Sequence, residues 1–240
     1  MRLTSLMFTL GCVTATLYAA EEFQTSAGTL KITPIHHASL MIEAGGKVIH
    51  LDPFSQGTQA AYAALPKADL LLITDIHPDH MDTMAIDWVK KPNMKIIAPF
   101  AVTASLKAGD KIKNGETQTW GAFTIEAVAM YNLKRGPEPG KLYHDKGRGN
   151  GYVITYGGKR FYFSGDTEVI PEMKALKNID VAFVCMNLPY TMTPEEAAEG
   201  VKAFAPKIVY PYHYRGSDVK AFEAALKGLP IEVRIVDWYK

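Results

Sequence analysis

The segment Thr74–His80 places four potential metal ligands within seven residues. It reads Thr-Asp-Ile-His-Pro-Asp-His and directly follows the apolar run Leu70–Ile73, which is typical of a strand buried on both faces. In an extended chain, Asp75, His77 and Asp79 alternate and therefore point the same way. Imidazole and carboxylate together suit zinc, iron or manganese, so the segment predicts a metal site. The alternative is a polar loop whose side chains cap the next helix.

Two later strand-like segments also end in a residue that can bind a metal. Asp166 follows the strand-like run that ends at Phe163, and Gly165 between them permits a tight approach. His213 ends the run that begins at Ile208. Taken singly, Asp166 could cap a helix and His213 could be a buried core histidine. Three strand ends that each close on such a residue instead predict one shared site, since strand ends carry functional loops.

The order of predicted elements indicates the fold class. Each half of the chain begins with a hairpin, the first around Gly45-Gly46 and the second around Gly157-Gly158. Alternating strands and helices follow, with helices predicted over Thr193–Phe204 and Asp218–Lys227. The first has a Thr cap, then Pro and a Glu three residues after the cap, and the second stops at Gly228. This order predicts an α/β (α+β) fold of two mixed β-sheets packed face to face, with helices outside.

The first 20 residues have the pattern of a secretory signal peptide. Arg2 is followed by an apolar stretch from about Leu6 to Leu17 and then by small residues. We therefore expect export, in a bacterium to the periplasm, with residues 21–240 as a single domain and no membrane span after signal removal. The alternatives are an uncleaved anchor or a first core helix. A lipid anchor through Cys12 is less well supported, because the stretch before it is short.

Charge and cysteine content exclude several classes of protein. The 26 basic and 25 acidic residues give a net charge of +1, which does not support nucleic-acid binding. Two cysteines are too few for a disulfide scaffold or a zinc ribbon, and Cys185 lies in an apolar run typical of core. The expected partner is a small-molecule substrate. The sequence does not indicate an oligomeric state.

Together these segments resemble the metallo-β-lactamase fold superfamily, whose signature is His-x-His-x-Asp-His, a bridging Asp and a terminal His. Within it the chain is similar to the branch of metal-dependent hydrolases that includes ascorbate-6-phosphate lactonase and N-acylphosphatidylethanolamine phospholipase D. Ile35–Ser39, Leu51–Pro53 and Gly165–Thr167 also match that branch in order and spacing. The resemblance extends from about Thr29 to Tyr214. It implies a four-layer αββα sandwich and an enzyme.

The resemblance further implies two divalent metal ions, with zinc as the first expectation and manganese or iron as alternatives. They would share a hydroxide of pKa near 7 that attacks a lactone, a phosphodiester or a related ester or amide. Asp79 would orient this nucleophile and take its proton, so Asp79 and Asp166 are the candidate catalytic residues. One metal would be held by Asp75, His77 and His144, the other by Asp79, His80 and His213, with Asp166 bridging them.

Two positions depart from the signature. Asp75 stands where the first His is expected; it adds charge and favours manganese or iron over zinc. For the middle His, Asn132 occupies roughly the right place but is a poor ligand, so we prefer His144, twelve residues further on, as the ligand. These departures leave an alternative function open: a non-catalytic metal- or ligand-binding protein on the same fold with a degenerate first metal site.

Further residues are candidates for the outer part of the site or for substrate binding. His37 could bond a ligand or be a buried core histidine, and Asp52 could orient a metal-bound imidazole or cap a turn. A Gly-rich loop with Lys146 and Arg148 could grip a phosphate or carboxylate, which favours an anionic substrate, or be simply solvated. The full set of such candidates is His37, Asp52, Asn132, Lys146, Arg148, Asn187, Tyr190 and Arg215.

Overall fold

A computed structural model describes residues 20–239, whose strands form two mixed sheets of seven strands each. In both sheets the strands lie in chain order, first antiparallel and then parallel, as the hairpins and the later alternation predict. The first sheet contains β1 Glu21–Thr25, β2 Gly28–His36, β3 Ser39–Ala44, β4 Lys47–Leu51, β5 Leu70–Leu72, β6 Lys95–Ala98 and β7 Asp110–Lys111. The second contains β8 Thr117–Trp120, β9 Phe123–Met130, β10 Gly149–Tyr156, β11 Lys159–Phe163, β12 Val181–Cys185, β13 Ile208–Tyr212 and β14 Glu232–Val233.

Six helices of the described chain connect the strands and cover the sheets, which confirms the α/β sandwich. The largest cluster of buried apolar side chains involves both sheets and the later helices, while two smaller clusters join the first sheet to the earlier helices. The earlier helices are α1 Gln59–Ala64, α2 Thr83–Val89 and α3 Phe100–Leu106. The later ones are α4 Pro171–Lys174, α5 Pro194–Phe204 and α6 Val219–Ala225.

Strand β5 shows why the segment before the ligand-rich loop is continuously apolar. Leu70 and Leu72 belong to the large central cluster, whereas Leu71 and Ile73 belong to the cluster beneath α2 and α3. Successive side chains of a strand point to opposite faces, and here both faces are covered. This packing holds β5 in place, and it therefore fixes the position and direction in which the loop Thr74–His80 begins.

Helix ends follow the sequence closely in α5 and less closely elsewhere. Thr193 and Glu196 form the expected capping box at α5. Asp218 caps α6, which ends at Ala225 rather than at Lys227 as predicted. The last strand, β14, is short, because it pairs with β13 over two residues only.

The predicted signal peptide and the alternative lipid anchor at Cys12 lie outside the described residues, apart from Ala20. Among residues 20–239, no helix combines the length and the apolar character needed to cross a membrane. Cys185 is a fully buried free thiol, as its apolar surroundings predict.

Candidate metal centre

The candidate site lies where the ends of several strands from both sheets meet. In the first sheet, His37 follows β2, Asp52 follows β4, and the loop Thr74–His80 follows β5. In the second, Asp166 follows β11 and His213 follows β13. Adjacent parallel strands bring their carboxyl ends to one edge of a sheet, so residues far apart in sequence become neighbours here.

His80, Asp166, His213 and His144 form the buried centre of this cluster. Asp166 Oδ1 lies 2.7 Å from His213 Nδ1. Its Oδ2 lies 3.4 Å from His80 Nε2 and 3.4 Å from His144 Nε2. All four side chains are at most 5% exposed.

Most of the converging atoms lack a hydrogen bond despite these short distances. His80 Nε2, His144 Nε2, His213 Nδ1 and Asp166 Oδ1 are buried and have no partner of acceptable geometry. Buried polar atoms are otherwise almost always satisfied. His80, Asp166 and His213 also each offer a ligand atom within 4.8 Å of the others. The donor set therefore fits a divalent cation, for which imidazole and carboxylate are suitable ligands.

Asp79 forms the outer side of the same cluster. Its Oδ2 lies 3.1 Å from His37 Nε2 and 3.4 Å from His213 Nε2. The two histidines approach each other to 2.5 Å through their Nε2 atoms. His37 Nδ1 in turn contacts the Tyr239 hydroxyl at 2.8 Å, which holds its ring in place. Asp79 is 31% exposed and thus reaches solvent, unlike Asp166.

Asp52 holds the His80 ring from behind. Its Oδ2 lies 2.8 Å from His80 Nδ1, which leaves Nε2 directed at Asp166. Thr74 donates to the same carboxylate from its backbone N–H at 2.7 Å and from its hydroxyl at 2.6 Å. Such a carboxylate fixes the orientation of a metal-binding imidazole and raises its basicity.

Replacing Asp52 with Asn is expected to weaken metal binding by about 10- to 100-fold, because the amide cannot accept both Thr74 donors and the His80 proton. Isothermal titration of the metal-free chain with Zn²⁺ measures this directly. Asp69→Asn is a matched control: Asp69 also accepts a backbone N–H, that of Val48 at 2.9 Å, but it lies outside the cluster. Equal Zn²⁺ affinities in the two variants would show that Asp52 does not support metal binding.

His144 and Asn132 take different positions in the site. The two are joined by a side-chain hydrogen bond between Asn132 Oδ1 and His144 Nδ1 and by a backbone bond from Asn132 N–H to the His144 carbonyl. The Asn132 amide also donates to the Tyr190 carbonyl at 2.7 Å. The Asn132 side chain is thus engaged away from the centre and orients His144, whose Nε2 faces Asp166.

Asp75 is fully buried, but it faces a cation of the chain itself. Arg148 donates to it from Nε at 3.1 Å and from Nη2 at 2.8 Å. His77 Nδ1 also lies 3.1 Å from Asp75. The structure therefore departs here from the arrangement expected for a first metal, in which Asp75 would be a free ligand and Arg148 would bind substrate.

Three residues of the site have a strained backbone conformation. Seven non-glycine residues in the range 20–239 have positive φ, and three of them are His37 at 60°, Asp52 at 45° and His213 at 47°. Such conformations cost about 1–3 kcal/mol each and persist where surrounding structure enforces them. Here that strain accompanies three side chains that either converge on the centre or support it.

The charges of the cluster follow from burial and from its own neighbours. Burial disfavours the Asp166 carboxylate, but His213 and His80 hold the pKa of Asp166 well below its usual value. Burial, together with repulsion from His213, lowers the pKa of His37 to about 3, so that its ring is neutral. Burial opposes protonation of His80 as well, yet Asp166 and Asp79 raise its pKa overall. Metal binding to histidines of this kind releases protons.

A cavity of about 290 Å³ opens directly onto the cluster. Lys146, a candidate for substrate binding, does not line it: its ammonium group bonds Glu172 at 2.8 Å and the Tyr131 hydroxyl at 3.3 Å, and its side chain is 64% exposed. The cavity is lined by His37, His77, Pro78, Asp79, Tyr143, His144, Asp166, Asn187, Tyr190 and Arg215.

A sequence profile described as "Beta-lactamase superfamily domain" matches residues 31–213, which span both sheets and reach the last histidine of the cluster. The chain belongs to this superfamily.

Several similar proteins are named metal-dependent hydrolases. A UPF0173 metal-dependent hydrolase from Thermococcus kodakarensis is 33% identical over 198 residues, covering 77% of this chain and 84% of that protein. A solved structure from Parabacteroides distasonis, described as a metal-dependent hydrolase, is 43% identical with a TM-score of 0.87, covering 93% of this chain and all of that one. The metallo-hydrolase Igni18 from Ignicoccus hospitalis shares the fold, with a TM-score of 0.72 at 23% identity over 88% of this chain and 96% of that one. The chain is thus a metal-dependent hydrolase of this superfamily.

Three residues of this superfamily member were not among the sequence-based candidates. Tyr143 lines the cavity, and its position next to His144 was the one available signal. Thr74 bonds both Asp52 and His80, and it stood in the loop already singled out. Tyr239 contacts His37 from 202 residues away, and no local pattern points to it.

Proposed function

We propose that the chain hydrolyses small lactones or phosphodiesters at the cavity beside His80, Asp166 and His213. The convergence of buried ligand atoms without hydrogen-bond partners carries this proposal. His80, Asp166 and His213 would hold a divalent cation there, which would supply Lewis-acid activation of water and of the substrate oxygen. The His and Asp donors suit zinc, with manganese or iron as alternatives.

Asp79 is the group that orients the attacking water and accepts its proton. His37 and His213 hold its carboxylate in place, and it is the partly exposed carboxylate of the cluster. Burial opposes its ionisation, but His80 and the bonds from His213 and His37 lower the pKa of Asp79, so it is ionised at neutral pH. Because Asp79 lines the cavity, its ionised carboxylate can reach a water or substrate bound there.

The candidate side-chain nucleophiles are otherwise engaged. Ser39 donates its hydroxyl to the Asp52 carbonyl, and Ser164 donates to the Gly165 carbonyl at 2.8 Å. Cys185 is buried, and burial raises the pKa of its thiol to about 12. Its thiolate is therefore scarce at neutral pH. Water remains as the nucleophile that this arrangement supports.

The cavity walls suit a small substrate with an anionic group. Arg215 is exposed at the cavity and can pair with a carboxylate or phosphate. Tyr143 and Tyr190 also line the cavity, and their rings meet edge to face at 4.9 Å. Asn187 adds a buried Oδ1 without a partner. At about 290 Å³ the cavity lies at the small end of ligand sites, which favours a compact substrate.

The test of this function is a panel of chromogenic lactones, esters and phosphodiesters with the zinc-loaded chain. We expect turnover of at least one lactone or phosphodiester, its loss on chelation, and its recovery when metal is restored. Bound metal with no turnover on any member of the panel would favour the alternative, a non-catalytic metal-binding protein.

Replacing Arg215 with Met is expected to raise KM for an anionic substrate by about 10-fold or more, since a charge-assisted hydrogen bond is lost. The kcat for that substrate and both constants for a neutral ester should change little. Lys146→Met is the control, because Lys146 is a cation outside the cavity. A similar KM increase for neutral and anionic substrates would contradict the assigned role.

A further inference from the structure

Arg148 lies where the resemblance places a metal ion. Asp75, His77 and His144 each offer a ligand atom within 4.8 Å of the others. The Arg148 guanidinium uses both Asp75 oxygens, at 3.1 and 2.8 Å. Its Nη2 also lies 3.3 Å from His77 Nε2. The group therefore contacts two of the three residues that would otherwise hold a cation.

The backbone next to Arg148 is fixed against the Asp75 loop. The Asn150 N–H donates to the Thr74 carbonyl at 2.9 Å, one residue before Asp75. At Gly149, a Cβ atom would come within 2.9 Å of the Thr74 carbonyl oxygen and 2.6 Å of Met130 Cε. Only glycine permits this approach without displacement. The pairing of Arg148 with Asp75 thus follows from how the loop is attached.

Charge makes the guanidinium a lasting occupant. Asp75 is fully buried, and a buried carboxylate without a partner is strongly destabilising. Arginine keeps its proton at every physiological pH and matches a carboxylate with two parallel bonds. A divalent cation at this point would have to displace those bonds and face a positive charge at close range.

The inner cluster has a different environment. In the described part of the chain, Asp166 forms ion-pair contacts with His80, His144 and His213. Its ligand atoms converge without hydrogen bonds, whereas those of Asp75 are satisfied by Arg148. The two halves of the predicted two-metal centre are therefore unequal.

We propose that the chain binds a single divalent cation, at His80, Asp166 and His213, and that the Arg148 guanidinium permanently takes the place of a second one. This inference rests on the proposed function for metal dependence. The Arg148 guanidinium would then supply a fixed positive charge beside the bound metal, in place of a second Lewis acid.

The test is titration of the metal-free full chain with Co²⁺, followed by visible absorption, together with metal analysis after loading with Zn²⁺. We expect one equivalent in the native chain and two in Arg148→Gln, which frees Asp75 and His77 to bind a cation together with His144. Arg148→Lys keeps the charge and should remain at one. Lys146→Gln, in the same loop but bonded elsewhere, is the control and should also remain at one.

A second variant keeps the test decisive if Arg148→Gln does not fold. His77→Ala removes a ligand of the first position only, so it should still bind one Co²⁺ with affinity within about threefold of the native chain. Two equivalents in the native chain, a folded Arg148→Gln that still binds one, or a large loss of affinity in His77→Ala would overturn the inference. No metal in the native chain would contradict the proposed function itself, and one metal without turnover would contradict only its catalytic part.

Discussion

Asp166→Ala is expected to bind no metal after dialysis and to hydrolyse substrate at least 100-fold more slowly than the native chain. Asp166 faces His80, His144 and His213 from the centre of the cluster, so its removal takes the carboxylate ligand from the proposed cation site. Loss of an outer residue that merely orients a ligand costs about 10- to 100-fold, and a central ligand should cost more. Metal analysis and initial rates on the best substrate of the panel measure both effects.

The control for this variant is Asp87→Ala, which removes an exposed carboxylate from α2. It should retain full metal content and activity. Circular dichroism distinguishes loss of metal from loss of fold in Asp166→Ala. Normal metal content in folded Asp166→Ala would show that the cluster is not the metal centre.

Removing the metal is expected to lower the melting temperature of the native chain by about 8–16 °C. A ligand present at 1,000 times its Kd stabilises the folded state by about 4 kcal/mol. For a chain of this size, each kcal/mol shifts the melting temperature by roughly 2–4 °C. Scanning calorimetry with Zn²⁺ at that excess, and again with a chelator, measures the shift.

The same chelator should leave the melting temperature of Asp166→Ala nearly unchanged, because that variant has no metal to lose. An equal shift in both proteins would mean that the metal stabilises the chain from another place. An unchanged melting temperature in the native chain, with Zn²⁺ shown to be bound, would contradict the linkage between the cluster and the fold.

Local sequence patterns predicted much of the fold. The continuous apolar run at Leu70–Leu72 correctly predicted a strand buried on both faces. Its alternate side chains pack into two different apolar clusters, so every position must be apolar. Thr193 and Glu196 identified the start of α5, since a capping box acts within one turn. The end of α6 was placed two residues too late, because Leu226 and Lys227 donate to carbonyls three rather than four residues back.

The sequence indicated which residue types would form the candidate site. It did not indicate which of those side chains would pair with one another. The spacing of the loop Thr74–His80 indicated a metal centre, but not that Arg148, 73 residues later, would neutralise Asp75. Lys146 and Arg148 stand two residues apart in one loop, and only the attachment of that loop to Thr74 directs Arg148 inward. Which of two neighbouring side chains reaches the site thus depends on backbone contacts between segments that are far apart in the sequence.

Counting metal ions in the purified full chain tests the central claim most directly. After loading with Zn²⁺ and dialysis, we predict one Zn²⁺ per native chain and none per Asp166→Ala chain, with Asp87→Ala matching the native protein. Equal metal content in the native and Asp166→Ala chains would contradict the account.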